Sequence, residues 1–411
     1  MSTEIRLTYG RRGACSLTVS DERLVGRFVP PPAIDDVREQ VVRALETPTE
    51  YPPLRQAVVA GDQVTIVVDR HTPQADQLVL GVWQVLEACG VNAADVILLI
   101  PATLTMAPVA DPRRSLPTAA REAMRMVLHD PTDEKAFGYL ATTTGGERVY
   151  LSKTLLDADL MLVIGDVAFD PLLGYRGGGS VLYPGLSNIE AMRKTVGQGH
   201  DELAPGDSRP LRQIVDEITW LLGLQFAVQV VPASGDRVSR VIAGQIDAAF
   251  REASADLLQH WSYQADVRTP VVVVAVDHDA RGHDWTQIGA ALEVGRALVS
   301  REGRVIVLSE LRSDLTPGVQ LLREVRSPRD ALRPLRKLQS GDMQAATQIA
   351  RALDWSGVSL LSGLPGDLVE ELGMLPVDAN EELERLIESE EALTIIASAQ
   401  HVSVIRPDKA E

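Results

Sequence analysis

Five short runs of mostly branched apolar residues constrain what this chain can fold into: Val64-Thr-Ile-Val-Val68, Val96 to Ile100, Leu160 to Ile164, Val271 to Val276 and Arg304 to Leu308. Each is too short for a helix and suits a strand buried on both faces. Segments with helical spacing lie between them. Ile34, Val37, Val41, Val42 and Leu45 follow Pro31-Pro32, and Leu78 to Cys89 is closed by Gly90. A strand, a helix and a second strand in this order form a parallel crossover. Aromatic residues make up only 4% of the chain, so the core must be built from Val, Leu, Ile and Ala. Parallel sheets covered by helices fit that composition.

The remaining pattern is consistent with an α/β fold in two domains, each a largely parallel sheet flanked by helices, facing each other across a cleft. Residues 3–8 and 14–19 read as a hairpin around Gly10 and Gly13. A helix is expected over 116–127, short strands over 137–142 and 148–151, and helices over 187–195 and 209–222. Strand 225–231 and a crossover of strand 237–242 with helix 245–260 follow. The pattern restarts near residue 265, which places the domains at 1–266 and 267–400, with 401–411 as a tail.

The net charge of −17 repels phosphate backbones and argues against nucleic acid as a partner. No apolar run approaches the ~20 residues that span a bilayer, and the N-terminus lacks the pattern of a secretory signal. Cys15 and Cys89 cannot form a metal-binding quartet and point to a reducing compartment. The expectation is a cytoplasmic protein whose partner is a small anionic metabolite or a nucleotide, with no membrane partner and with homodimerisation open.

Three polar loops follow buried strands, where open α/β sheets place ligand contacts. The first is Asp69-Arg70-His71-Thr72-Pro73. Its carboxylate could orient His71 or bind a hydroxyl, and Arg70 could hold an anion. The second, Gly165 to Gly185, carries Asp170, Gly174, Tyr175, Arg176, Gly177, Gly178, Gly179, Ser180 and Pro184. So many glycines exclude a helix interior and permit close approach of a ligand. It lacks the lysine and spacing of a phosphate-binding Walker loop. The third loop, Asp277 to Asp284, offers His278 and His283 as metal ligands beside Asp277, Asp279 or Asp284, although their spacing matches no ligand template. His129 reads as a turn residue, His200 and His260 as surface residues, and His401 as part of the tail.

Several segments together resemble the lactate racemase family. They are Gly61-Asp-Gln-Val-Thr-Ile-Val-Val-Asp69, Cys89-Gly-Val with Ile97-Leu-Leu-Ile-Pro-Ala, His129-Asp-Pro-Thr-Asp-Glu and Tyr139-Leu-Ala-Thr-Thr-Thr-Gly-Gly. Asp157-Ala-Asp-Leu-Met-Leu-Val-Ile-Gly165, Gly174-Tyr-Arg-Gly-Gly with Pro184-Gly185, and Arg301-Glu-Gly-Arg-Val-Ile-Val-Leu complete the set. The resemblance covers about 55–400 and implies a two-domain enzyme that interconverts stereoisomers of 2-hydroxy acids. The family does so by hydride transfer through a nickel-pincer nucleotide.

The resemblance also implies a site, and this chain departs from it. Asp69 matches the family aspartate, but His71 and Thr72 occupy the places of its threonine and arginine. Thr105 stands at a family histidine and Asp170 at the catalytic histidine. Ser180 stands where a lysine holds the pincer ring, and the nickel-binding histidine falls near Val196. The second domain's lysine falls within 290–293, where this chain has none. Gly174, Gly177, Gly178, Pro184 and Gly185 are retained. The candidate catalytic residues are thus Asp69, His71, Thr72 and Asp170. The candidate cofactor-binding residues are Thr105, Gly174, Tyr175, Gly177, Gly178, Ser180, Pro184 and Gly185. The expectation is a racemase- or epimerase-like protein with altered chemistry, or a non-catalytic relative that binds a nucleotide or an acidic metabolite.

Overall fold

The computed structural model describes residues 2–105, 109–200, 202–377, 380–387 and 391–405. The chain divides into two compact units. The mid-chain unit comprises Pro32–Thr195 and Gly199–Leu257; the end unit comprises Met1–Pro31, Val196–Gln198 and Leu258–Glu411. This differs from the sequence-based boundaries, because the first 31 residues join the C-terminal part. The reason is pairing: the Leu24–Phe28 strand lies parallel to Leu393–Ile396 at the edge of the end-unit sheet.

The mid-chain sheet has six strands, in the order Val238–Gln245, Phe226–Pro232, Leu160–Asp166, Val64–Val68, Val96–Ile100 and Arg125–Leu128. All neighbours are parallel except the first pair, which is an antiparallel hairpin and not the expected crossover. Val64–Val68 is buried at every residue. Val64, Ile66 and Val68 pack into one core with Leu78, Val82 and Leu86 of helix Ala75–Ala88. Val67 points to the other face, with Val163, Val215 and Ile218. Strand periodicity therefore divides one apolar run between two cores. The helix expected over 116–127 is short, Thr118–Ala123, and Arg125–Leu128 becomes the edge strand. Hydrogen bonding to Val96–Ile100 outweighs the apolar spacing there.

The end-unit sheet also has six strands, in the order Leu375–Val377, Gly357–Leu361, Val299–Leu308, Thr269–Ala275, Leu393–Ile396 and Leu24–Phe28. The hairpin of Ser2–Tyr9 and Gly13–Ser20 lays Ile5, Leu7, Cys15, Leu17 and Val19 onto one of its cores. The expected tail is partly structured: Ser403–Ile405 pairs with Ser262–Gln264. Among the described residues no helix is long and apolar enough to cross a membrane.

Candidate functional site

The mid-chain sheet reverses its order at one place. From Val64–Val68 the chain builds outward to Val96–Ile100 and Arg125–Leu128, then returns to Leu160–Asp166 on the other side of Val64–Val68. A crevice beyond the carboxyl ends at such a reversal is where open α/β sheets bind ligands. Asp69 is the first residue past one strand and Asp166 the last of the other; the Asp69 amide donates to the Ile164 carbonyl at 2.9 Å.

Arg176 stands between the two carboxylates. Its Nη2 donates to both oxygens of Asp166 at 2.7 Å. Its Nε lies 3.8 Å from Asp69 Oδ2, too long for a hydrogen bond, and is buried without a partner. Nη1 has no partner among the described residues. The Asp166 side chain is 2% exposed, against 14% for Asp69 and 19% for Arg176, so the pair that faces solvent is Asp69–Arg176. Burial works against the guanidinium's charge, but Asp166 and then Asp69 outweigh it and hold the group above its ordinary range.

Local geometry delivers Arg176 to this point. Ala168–Asp170 pairs antiparallel with Gly174–Arg176, which sets Arg176 opposite Ala168. The turn is held by Asp170, whose Oδ1 accepts from the amides of Leu172 at 2.8 Å and Leu173 at 2.9 Å. Arg212 donates to the Tyr175 carbonyl at 2.6 Å and lies over the Phe250 ring. Gly177 has φ of 116°, a conformation that favours glycine. A Cβ on Gly179 would sit 1.7 Å from Thr219 Oγ1, so only glycine lets the loop lie against helix Pro210–Leu222. The Gly178 amide donates to Gln229 Oε1 at 2.9 Å. Ser180 Oγ accepts from the Gly177 amide at 2.8 Å and donates to its carbonyl at 3.0 Å. Pro184 follows a cis peptide bond, and the Gly185 carbonyl accepts from the Ala102 amide at 2.8 Å.

The other expected residues are distributed as follows. Arg70 donates from Nε to the Pro101 carbonyl at 2.8 Å and from Nη1 to Thr103 Oγ1 at 3.3 Å, so two of its donors brace a loop. Burial lowers its pKa against the pull of Asp69. His71 is half-buried beside it. Thr72 is buried, and its Oγ1 has no hydrogen-bond partner. Thr105 is exposed. Sequence reasoning missed Asp166 because it ended that strand at Ile164. A carboxylate closing an apolar run just before a glycine-rich loop was the available signal.

In the end-unit loop, the two histidines weighed as metal ligands are bonded as follows. His283 Nδ1–H donates to the Asp277 carbonyl at 3.1 Å, and Nε2 accepts from the Glu310 amide at 2.8 Å. An imidazole bonded in this way has both nitrogens occupied. The His278 ring stacks on it with centroids 6.4 Å apart, and burial followed by Arg11 lowers its pKa. Asp284 caps helix Trp285–Leu298, accepting from the Thr286 amide at 2.7 Å. Among the described residues no group of three or more His, Cys, Asp or Glu is disposed to hold a metal ion. Two further histidines differ from expectation. His129 is buried, with Nε2–H donating to the Ser187 carbonyl at 3.0 Å, and His401 is buried beside Asp279 at 3.1 Å.

The residues present do not fit covalent attachment of a pincer nucleotide. The 165–185 loop contains no lysine, and the Ser180 hydroxyl is bonded within its own turn. The lysines of the mid-chain unit are elsewhere. Lys153 donates to the Lys135 carbonyl at 2.8 Å, and the exposed Lys194 lies 3.8 Å from Glu147.

Residues 9–204 match the family model described as the lactate racemase N-terminal domain. Comparison with curated protein sequences gives no significant match. Among solved structures, the lactate racemase apoprotein from Thermoanaerobacterium thermosaccharolyticum superposes with a TM-score of 0.80 at 17% identity, covering 98% of this chain and 100% of that one. A Thermotoga maritima protein superposes with a TM-score of 0.68 at 13% identity, covering 91% and 100%. At these identities the structural matches establish the fold, and the sequence match shows that residues 9–204 are similar to the lactate racemase N-terminal domain.

Proposed function

We propose that the protein takes a small 2-hydroxy acid, or a related small acid, at the carboxyl edge between Val64–Val68 and Leu160–Asp166. In this reading it is a racemase- or epimerase-like relative whose chemistry does not use a lysine-anchored nickel-pincer nucleotide. The observation that carries the reading is Arg176 at the strand-order reversal: a charged guanidinium between Asp69 and Asp166 with Nη1 unengaged. Nη1 would hold a ligand oxygen by a charge-assisted hydrogen bond. Asp69, the more exposed carboxylate, and the neighbouring His71 are the groups assigned to proton movement. Asp170 is given a positioning role, because its Oδ1 already holds the Leu172 and Leu173 amides.

The test is stereochemical. Purified protein is incubated with single enantiomers of lactate, malate and gluconate, with and without nickel or other divalent metals, and chirality is followed. Conversion that is lost in Asp69→Asn supports the reading; no conversion under any condition removes the isomerase part. A second reading, a non-catalytic relative that binds a nucleotide or an acidic metabolite, is favoured by the internal bonding of Ser180 and Asp170 at the places of the family's lysine and catalytic histidine. Equilibrium dialysis against a nucleotide panel tests it, and absence of any binding rejects it.

A further inference from the structure

The end unit of this acidic chain carries a basic face. Residues 317–355 hold seven Arg or Lys against four Asp or Glu, in a chain whose net charge is −17. They fold as helix Pro317–Leu322, the 3₁₀ turn Pro328–Ala331, helix Leu332–Leu338 and helix Met343–Trp355, packed on one another. Ala331 and Leu335 are fully buried, while Arg329, Arg333 and Lys337 recur at the same four-residue interval on the opposite side and are exposed. Arg326 is exposed just before them. Arg323 is engaged by Glu371 and Arg336 by Gln198. The side chains of Arg326, Arg329, Arg333 and Lys337 have no hydrogen bond or ion pair among the described residues. Of the four acids, Glu324 and Asp330 are exposed, Asp342 is buried against the Gly318 and Val319 amides, and Asp354 is offset in charge by Arg351. The face therefore stays positive.

A stretch of opposite sign belongs to the same unit. Residues 378–391 hold seven Asp or Glu against Arg385, and include helix Asn380–Ile387. That helix and the run from Arg329 to Lys337 are each about 12 Å long at 1.5 Å per residue, so their charges can lie side by side over two turns.

We propose that the basic face docks the acidic 378–391 stretch of a second copy of this chain. A two-fold axis forms the contact twice, since each copy supplies both surfaces. Charges in contact are felt in full, whereas the repulsion between two acidic chains acts mostly beyond the ~8–10 Å Debye length and is screened. An anionic bilayer fits this face less well. Leu338, 43% exposed, is the sole large apolar side chain exposed on 317–355 among the described residues, too little for an inserted apolar face.

Sedimentation velocity of the full chain tests this, with circular dichroism as the fold check. The expected result is a monomer–dimer equilibrium whose dissociation constant rises at least tenfold between about 50 mM and about 500 mM NaCl. One variant combines Arg329→Glu, Arg333→Glu and Lys337→Glu; the other combines Glu384→Lys, Glu388→Lys, Glu390→Lys and Glu391→Lys. Each alone should be monomeric, because like charges then meet at both contacts. Mixed in equal amounts they should dimerise again, because both contacts regain opposite signs. A native chain that stays monomeric at low salt, a dimer that survives either reversal, or a mixture that stays monomeric overturns the proposal. So does a monomer that co-sediments with vesicles of phosphatidylglycerol and phosphatidylcholine and ceases to do so in the arginine variant, which assigns the face to a lipid surface. Should either reversal variant fail to fold, Arg333→Gln with Lys337→Gln replaces it, with at least tenfold weaker dimerisation expected and unchanged dimerisation overturning the proposal.

Discussion

Replacing Arg176 with methionine isolates the ion cluster at the strand-order reversal. The substitution keeps the length and apolar stem of the side chain and removes the guanidinium. Asp166, 2% exposed, loses the donor that bridges both its oxygens, and Asp69, 14% exposed, loses a guanidinium 3.8 Å away. Breaking a buried pair from one side costs about 3–5 kcal/mol, because the remaining charge stays in a poorly solvated site. Asp69 can still recruit water, so the lower end, about 3 kcal/mol, is expected for Arg176→Met. Replacing the pair by apolar residues removes that penalty, so Asp166→Leu combined with Arg176→Met should recover most of the loss. Hydrogen exchange of peptides covering Leu160–Asp166, read by mass spectrometry, gives the opening free energy of the strand directly. Raising the salt concentration should not reproduce the single variant's effect, since buried pairs are weakly screened. A single variant that costs under about 1 kcal/mol, or a double variant less stable than the single, would refute the reasoning.

Three further outcomes follow from the same structure. Gly179→Ala drives a methyl group into Thr219 Oγ1 at 1.7 Å and should cost about 1–3 kcal/mol by overpacking, part of it restored by Thr219→Ala; urea titration of the three proteins checks this. Arg209 donates to the carbonyls of Pro171, Leu203, Ala204, Pro205 and Asp207, so Arg209→Lys, which lacks the planar fork, should loosen 203–208 and cost about 2–3 kcal/mol. Limited proteolysis that finds that segment as resistant as in the native protein would contradict it. Burial depresses the pKa of His129 from its ordinary 6.5, partly offset by the Ser187 carbonyl. A histidine depressed on folding binds fewer protons folded than unfolded, so its contribution is complete above about pH 6.5 and falls as pH drops through the folded value. Urea midpoints measured from pH 8 to pH 5 should therefore decline, and His129→Phe should flatten that decline.

The alternation of buried strands and helices could be read from the chain before folding was considered. Val64–Val68 and Val96–Ile100 occur where apolar run length places them, because a strand buried on both faces tolerates little else. The helix–strand alternation fixes parallel pairing, and the glycines of 174–179 mark backbone that only glycine can adopt or fit. Polar neighbours of those strands, Asp69 and Asp170 among them, were visible as candidates for the same reason.

Tertiary structure decided what those residues do. Strand order is not encoded in any single run, so the reversal between Val64–Val68 and Leu160–Asp166, and with it the importance of Asp166, appears only once the sheet is assembled. Arg176 reaches Asp166, ten residues earlier in sequence and 2.7 Å away in space, because Ala168–Asp170 and Gly174–Arg176 pair in register. The Leu24–Phe28 strand lies some 370 residues from its partner in the end unit, beyond the range of local pattern. His283 offered metal-binding nitrogens on paper, and backbone groups from two loops occupy both. Local apolar periodicity sets the elements; long-range hydrogen bonding and burial of charge set the site.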